Sequence, residues 1–571
     1  MNQQPTFEEN AAPKLESNRD PFTLEVIKNA LAAIADEMAA TIQRTARSFV
    51  VKEALDYSTA VFGANGDLIA QGTCLPLHMG AMPFAVRAMA EDFVGHVAPG
   101  DVLMANDPYW GGSHLPDITL AKPVFRDGVL CFWVAIRAHQ SDTGGISAGG
   151  YSPSAREIWH EGLRIPPVKL MERDVLREDM LRLVCENTRK PEDTRGDLMA
   201  MVASVNVGMD RLGALLDRYG VGEIQRCSGA ILDAGEAAMR AHISRWKPGV
   251  YKATSWYDHD GVETERFPVP VTITVKEDEV EIDLRDAPDQ LPSYLNSPIA
   301  NTSACVYISF FYLCNDQQVQ NEGSTRAINI LTRKGTVVDP VSPAPVTGST
   351  TFAAAVIIEA VLKAMQGAAP AAVVAGSARR FRYVIAGNEP ETGSYIYHYF
   401  SNKGGFGANQ NEDGWINVGG FQNPGGTPSA SLERVEATYP LQIEEYSVTA
   451  ESGGAGKQRG GVGGVFALRY RGTGQALLNI AGEGTLVAPF GADGGEEGAP
   501  HAIWIERDNE RIDLTGRSND VPLEPGDLVI HLSAGGGGCG DPKERDRKLV
   551  ERDVAYGYIS TETARSVYGA E

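Results

Sequence analysis

Residues 101–142 read DVLMANDPYWGGSHLPDITLAKPVFRDGVLCFWVAIRAHQSD, and this stretch decides the fold of the N-terminal part of the chain. Apolar runs at 101–105, 117–125 and 128–137 have the length and composition of strands, and Asp127-Gly128 supplies a tight turn between the last two. Around these strands stand two polar His-x-x-Asp units, His114 to Asp117 and His139 to Asp142. The first lies in a glycine-rich loop, and the second leaves the end of the 128–137 strand, where clefts form. Neighbouring strands bring such loop ends together. Imidazole nitrogen and carboxylate oxygen are the ligands of zinc, manganese or ferrous iron, and a site without thiolates can leave a position open for water. The same residues also read as a hydrogen-bonded structural histidine and a turn-capping aspartate. The sequence alone leaves both readings open.

Upstream, Asp20-Pro21 is an N-cap and first-turn pair, followed by Leu24, Ile27, Leu31, Ile34, Met38 and Ile42 at helical spacing. Asp56 then opens an alternating pair of strands about Asn65-Gly66, a strong hairpin signal. It is a further candidate ligand, and His78 a weaker one. Residues 81–95 and 172–245 have helical patterns, the second ending near Trp246-Lys247-Pro248-Gly249. Strands are expected over 250–290, buried helices at 297–315 and 350–366, short strands between glycines over 450–542, and a charged closing helix at 543–565. The expected class is α+β: a multi-domain chain of mixed sheets and buried helices with a glycine-rich β-sandwich or barrel-like C-terminal part. The expected units are a disordered 1–19, an α/β metal-site domain over 20–247, an α+β middle domain over 248–449, a glycine-rich β domain over 450–542 and a helical tail over 543–571.

A length of 571 residues is enough for more than one substantial core. The net charge of −23, with no basic patch, argues against nucleic acid and anionic lipid as partners. Seven scattered cysteines without a C-x-x-C pair indicate neither a disulfide framework nor a thiolate zinc site. The polar start has no signal-peptide core and no later run reads as a membrane span, so a cytoplasmic location is expected.

Other motifs carry less. Gly145-Ile-Ser147-Ala-Gly149 matches G-x-S-x-G without the strand and helix that a nucleophile elbow needs. Gly453 to Gln458 resembles a P-loop, but Glu451 stands at its first glycine and Gln458 at its magnesium-binding hydroxyl. Cys539 reads as a buried thiol in a tight loop. His160 and Glu161, flanked by Arg156 and Arg164, either border the cleft and clamp a carboxylate or phosphate, or form a solvated loop with a local ion pair.

These motifs form a recognisable set: LDYSTAVFGANGDLIAQG (55–72), LPLHMGAMP (75–83), NDPYWGGSHLPDITL (106–120), RAHQSDTGG (137–145), EIWHEGLRIPPVKL (157–170), NSPIANTSA (296–304), NEGSTR (321–326), ESGGAGKQRGGVGG (451–464) and SAGGGGCGDPKERD (533–546). In content and order the set resembles the hydantoinase B / oxoprolinase family. That family includes B subunits of ATP-dependent hydantoinases and N-methylhydantoinases, the C-terminal half of 5-oxoprolinase, and related subunits of ketone carboxylases and caprolactamase.

The resemblance implies a partner A subunit of actin-like ATPase fold that holds ATP-Mg and phosphorylates the substrate oxygen, in an (αβ)2 or larger hetero-oligomer. This chain would then act on the activated small molecule at a divalent metal, zinc or manganese. The implied metal ligands are Asp56, His114 and His139, with Asp142 or Asp117 completing the sphere. Asp117, Asp142, His160 and Glu161 are the expected catalytic groups. Where the family commonly writes G-H-H-A-D, this chain has Ala138-His139-Gln140-Ser141-Asp142, and a carboxamide cannot replace a titrating imidazole. Hydrolysis of a cyclic amide is the leading expectation, with ketone carboxylation and a non-catalytic scaffold as alternatives.

Overall fold

The computed structural model describes residues 20–72, 75–259, 266–314, 320–390, 393–399, 402–422, 428–429 and 431–570; the expected disordered N-terminus and Cys74 lie outside them. Helix Pro21–Thr45 begins as its sequence dictates: the Asp20 carboxylate accepts from the Phe22 and Thr23 amides, and Ile27, Leu31, Ile34, Met38 and Ile42 are buried along one face.

The first sheet contains strands β1 (Tyr57–Gly63), β2 (Leu68–Gln71), β3 (Val102–Ala105), β4 (Asp117–Arg126), β5 (Val129–His139), β6 (Val168–Glu172) and β7 (Val175–Leu176), in the order β2-β1-β5-β4-β3-β6-β7. All its pairings are antiparallel. The period of two sorts β5 cleanly. Val134, Ile136 and Ala138 join the core shared with helices Pro21–Thr45 and Pro191–Tyr219, whereas Trp133 and Ala135 join the core under helix Pro76–Asp92. Helix Pro191–Tyr219 has the length and apolarity of a membrane span, but here its buried face packs into this core. The β5 strand runs two residues past the expected end because the His139 amide still donates to the Asp56 carbonyl at 3.0 Å.

The middle of the chain forms a four-stranded sheet from Gly249–Tyr257, Phe267–Val275, Val280–Asp283 and Ile328–Leu331. Helices Ile299–Cys314 and Ala354–Met365 are almost wholly buried against it. Two further sheets follow. One joins Phe381–Glu389, Gly393–His398, Gln475–Gly482 and Val521–Leu523; the other joins Leu441–Val448, Gly464–Tyr470, Ala502–Arg507, Glu510–Leu514 and Leu528–Leu532. They share one apolar core and neither closes into a barrel. Strands from both sides of residue 450 pair within each sheet. The glycine-rich segments stack backbone on backbone: a Cβ at Gly535 would run into the Ser452 carbonyl. Cys539 is buried among these loops.

Candidate metal centre

Three adjacent strands, β1, β5 and β4, present Asp56, His139 and Asp117 at one end of the first sheet. Asp117, the first residue of β4, is the Cα partner of His139, the last of β5. Both share the face of Ala135 and Ala121, the face covered by helix Pro76–Asp92, and His78 lies in that helix's first turn. His114 arrives from the loop before β4. That loop hugs the same helix so closely that a Cβ on Gly111, where φ is +84°, would strike the Phe84 carbonyl.

The side chains converge on Asp117. Its Oδ1 is 2.9 Å from His114 Nε2 and 3.0 Å from His139 Nδ1, and its Oδ2 is 3.4 Å from His78 Nε2 while accepting from Ser113 Oγ at 2.8 Å. His78 Nε2 is also 3.8 Å from Asp56 Oδ1. Each of His114, Asp117 and His139 offers a ligand atom within 4.8 Å of the others.

Surrounding hydrogen bonds set the tautomers. His114 Nδ1 lies 2.9 Å from the Thr347 carbonyl, which can only accept, so a proton sits on Nδ1 and Nε2 is the ring nitrogen that faces Asp117. Nε2 and the Asp117 oxygen, 2.9 Å apart, are donor atoms that the cluster offers a cation. His139 Nε2 is buried without a hydrogen-bond partner, a second unmet donor atom. This nitrogen and oxygen donor set fits a divalent cation.

The electrostatics agree. Burial pushes the Asp117 carboxyl up, but His114, His78 and the imidazole hydrogen bonds outweigh it and hold it well below the usual carboxylate range. Burial lowers the His139 pKa, against the pull of Asp117 and Asp56, and favours the neutral ring that ligation needs. Behind them, buried Arg137 donates to Thr119 Oγ1 and Ser113 Oγ, its pKa lowered to about 10 by burial.

Other expected site residues are placed elsewhere. Asp142 does not reach the cluster. Its carboxylate accepts from the Gly144, Gly149 and Arg189 amides and pairs with the Arg189 guanidinium at 3.1 Å, so it orders the following loop. His160 is partly exposed and accepts from the Arg156 amide. Glu161 is buried one step behind the cluster, where its oxygens accept from the Val346 and Thr347 amides at 2.9 and 2.7 Å and so fix the carbonyl that orients His114. Arg164 pairs with Asp107, and Arg156 caps local carbonyls. Gln140 lies on the opposite face from His139, buried beside Met201. The departure from the family motif is therefore a core residue, because successive strand side chains alternate faces.

The donors wall a cavity of about 40 Å³ that Asp56, His78, Tyr151, Thr350, Arg380, Arg382 and Gln422 also line. Tyr151 packs edge-on to His114, their ring centroids 5.9 Å apart. Larger grooves of about 590 Å³ beside Trp110 and about 780 Å³ beside Leu24 contain no comparable donor set among the described residues. Sequence reading missed Tyr151, Arg380 and Arg382. The signal available was SARRFRY, three arginines at the start of an apolar strand.

A family model for hydantoinase B/oxoprolinase matches residues 20–542. The chain belongs to this family. It is 34% identical to the caprolactamase subunit beta of Pseudomonas jessenii over 96% of both chains. It is 30% identical to 5-oxoprolinase 1 of Arabidopsis thaliana over 92% of its own length and 42% of that protein's. The crystal structure of ATP-dependent caprolactamase from Pseudomonas jessenii superposes with a TM-score of 0.89 at 33% identity, covering 97% of this chain and 96% of that one. Nucleotide-free acetone carboxylase gives 0.87 at 20% identity, covering 96% and 80%, a likeness of fold. The chain thus shares its architecture with the caprolactamase, and in this chain the Asp117 cluster is built into it.

Proposed function

We propose that this chain is the metal-site subunit of an ATP-dependent cyclic amide hydrolase, opening a lactam or hydantoin whose amide oxygen a partner ATPase of the hydantoinase A type has phosphorylated. The observation that carries the reading is the convergence of His114, His139 and Asp117 on one buried cavity. Similarity to a caprolactamase beta subunit and a 5-oxoprolinase supports the substrate class.

His114, His139 and Asp117, with Asp56 beside them, would hold zinc or manganese. Such an ion supplies Lewis acidity to a substrate oxygen and makes water more acidic. Asp117, kept ionised by its imidazole neighbours, serves as ligand rather than proton acceptor. His78, whose Nδ1 is 3.1 Å from Ser58 Oγ, points Nε2 at the cavity and takes the proton from the attacking water. Water adds to the former carbonyl carbon and the ring C–N bond breaks as the nitrogen gains a proton. The resulting acyl phosphate yields carboxylate and inorganic phosphate with a second water. The cavity has room for an ion and a water, so ring entry requires its walls to move.

The test is reconstitution with the A-type subunit and measurement of ATP-dependent ring opening across lactams and hydantoins. Ring opening that is lost on chelation and restored by zinc or manganese is expected. Incorporation of labelled bicarbonate into a ketone, without lactam turnover, would replace this reading with a carboxylase.

A further inference from the structure

Arg382 is 3% exposed, and its guanidinium stacks 3.7 Å from the centroid of the Tyr151 ring. It donates to His398 Nδ1 at 2.7 Å, and His398 Nε2 in turn donates to the Ser141 carbonyl at 2.9 Å. That tautomer is neutral, and burial together with Arg382 holds the His398 pKa well below its ordinary value. The fixed partner of this buried cation therefore carries no charge, and among the described residues no carboxylate pairs with Arg382. Arg379 and Arg545, also buried, meet carboxylates directly, Arg379 pairing with Glu359 at 2.7 Å and Arg545 with Asp413 and Asp553 at 2.7 Å each, whereas buried Arg137 donates to hydroxyls. Burying a cation without a counter-charge is costly.

Arg380, two residues earlier, lines the same cavity, and burial, followed by the Arg382 charge, lowers its pKa against the pull of Asp56. Two guanidiniums thus stand in one small cavity with the metal cluster, Arg380 in the field of the Asp56 carboxylate and Arg382 buried without a carboxylate partner. Their planar forks suit the oxygens of a tetrahedral dianion better than a lone carboxylate.

We infer that Arg380 and Arg382 form a phosphoryl subsite that seats the activated substrate's phosphate beside the metal cluster and holds it until it leaves as inorganic phosphate. This deepens the function proposed above and rests on it for the identity of the ligand, but not for the binding of an oxyanion.

The test is calorimetric titration of the full chain with inorganic phosphate, metal-loaded and after chelation, with acetate as control. Wild type, Arg382→Gln, Arg382→Lys and Arg380→Gln are compared, with metal content and circular dichroism measured on each. Saturable phosphate binding that weakens at least about ten-fold in Arg382→Gln and Arg380→Gln, and less in Arg382→Lys, at unchanged metal content, is expected. Manganese-loaded wild type should also broaden the phosphorus resonance of bound phosphate.

Absence of saturable binding, binding indifferent to the arginines, or acetate binding as tightly as phosphate overturns the subsite. If Arg382→Gln does not fold, Arg380→Gln and Arg382→Lys decide. Arginine-dependent phosphate binding by a chain that holds no metal sinks the metal reading alone. Metal binding with arginine-independent phosphate binding sinks the subsite alone.

Discussion

Asp117 and His139 are direct partners across the β4–β5 pair, and their side chains meet at 3.0 Å at the end of the sheet. A backbone ladder therefore sets the spacing of the two donors. Loops then add His114, and helix Pro76–Asp92 adds His78.

Replacing His114 by alanine should abolish stoichiometric metal binding, whereas Asp142→Asn should retain it, because the Asp142 carboxylate is committed to Arg189 and turn amides. Elemental analysis of both purified variants, with circular dichroism as a folding control, checks the contrast. Equal loss in both would return Asp142 to the ligand set.

Glu161→Gln removes an acceptor from the Val346 and Thr347 amides and so loosens the carbonyl that orients His114. Metal affinity should fall by about ten- to a hundred-fold. The substitution also has a pH signature. Burial raises the Glu161 carboxyl from 4.5 to about 7, against its backbone hydrogen bonds, so the folded chain keeps that proton longer than the unfolded chain. The associated stability is present below about pH 4.5 and is lost as the pH rises through about 7, an effect of about 3 kcal/mol. Denaturation of metal-free wild type and variant between these pH values should show a shrinking wild-type advantage. A constant difference would refute it.

Much of this geometry was legible in the sequence. The Asn65-Gly66 and Asp127-Gly128 turns and the alternating runs placed β1, β4 and β5, and with them Asp56, Asp117 and His139 at strand ends. Asp117 and Asp142, each three residues after a histidine, were not separable by spacing. Only register shows that the first faces His139 while the second turns toward Arg189. Arg382 and Thr347 escaped notice because they contact the site only through tertiary packing, more than two hundred residues downstream.

Gln140→Met should leave metal content and turnover unchanged. The amide lies beside Met201 with its Oε1 buried and unpartnered, so an apolar chain of similar shape, which gives up only the 3.3 Å bond from Nε2 to the Ala138 carbonyl, can stabilise the fold by about 1 kcal/mol. Chemical denaturation measures this, and loss of metal would show that the residue communicates with the site.

Asp553→Ala should destabilise the chain by about 3–5 kcal/mol, because Asp553 pairs with the buried Arg459 and Arg545 at 3.1 and 2.7 Å. Chemical denaturation should show the loss, and limited proteolysis should release the segment after residue 541. Resistance equal to wild type would show that Asp413 alone suffices for Arg545.

The Thr347 carbonyl that turns His114 has a consequence for the protein's birth. A growing polypeptide that has left the ribosome as far as residue 142 already carries both imidazoles and the carboxylate between them, but not the group that aims the first ring. In the proposed metal site, secure capture of a cation would therefore await synthesis of the Thr347 segment.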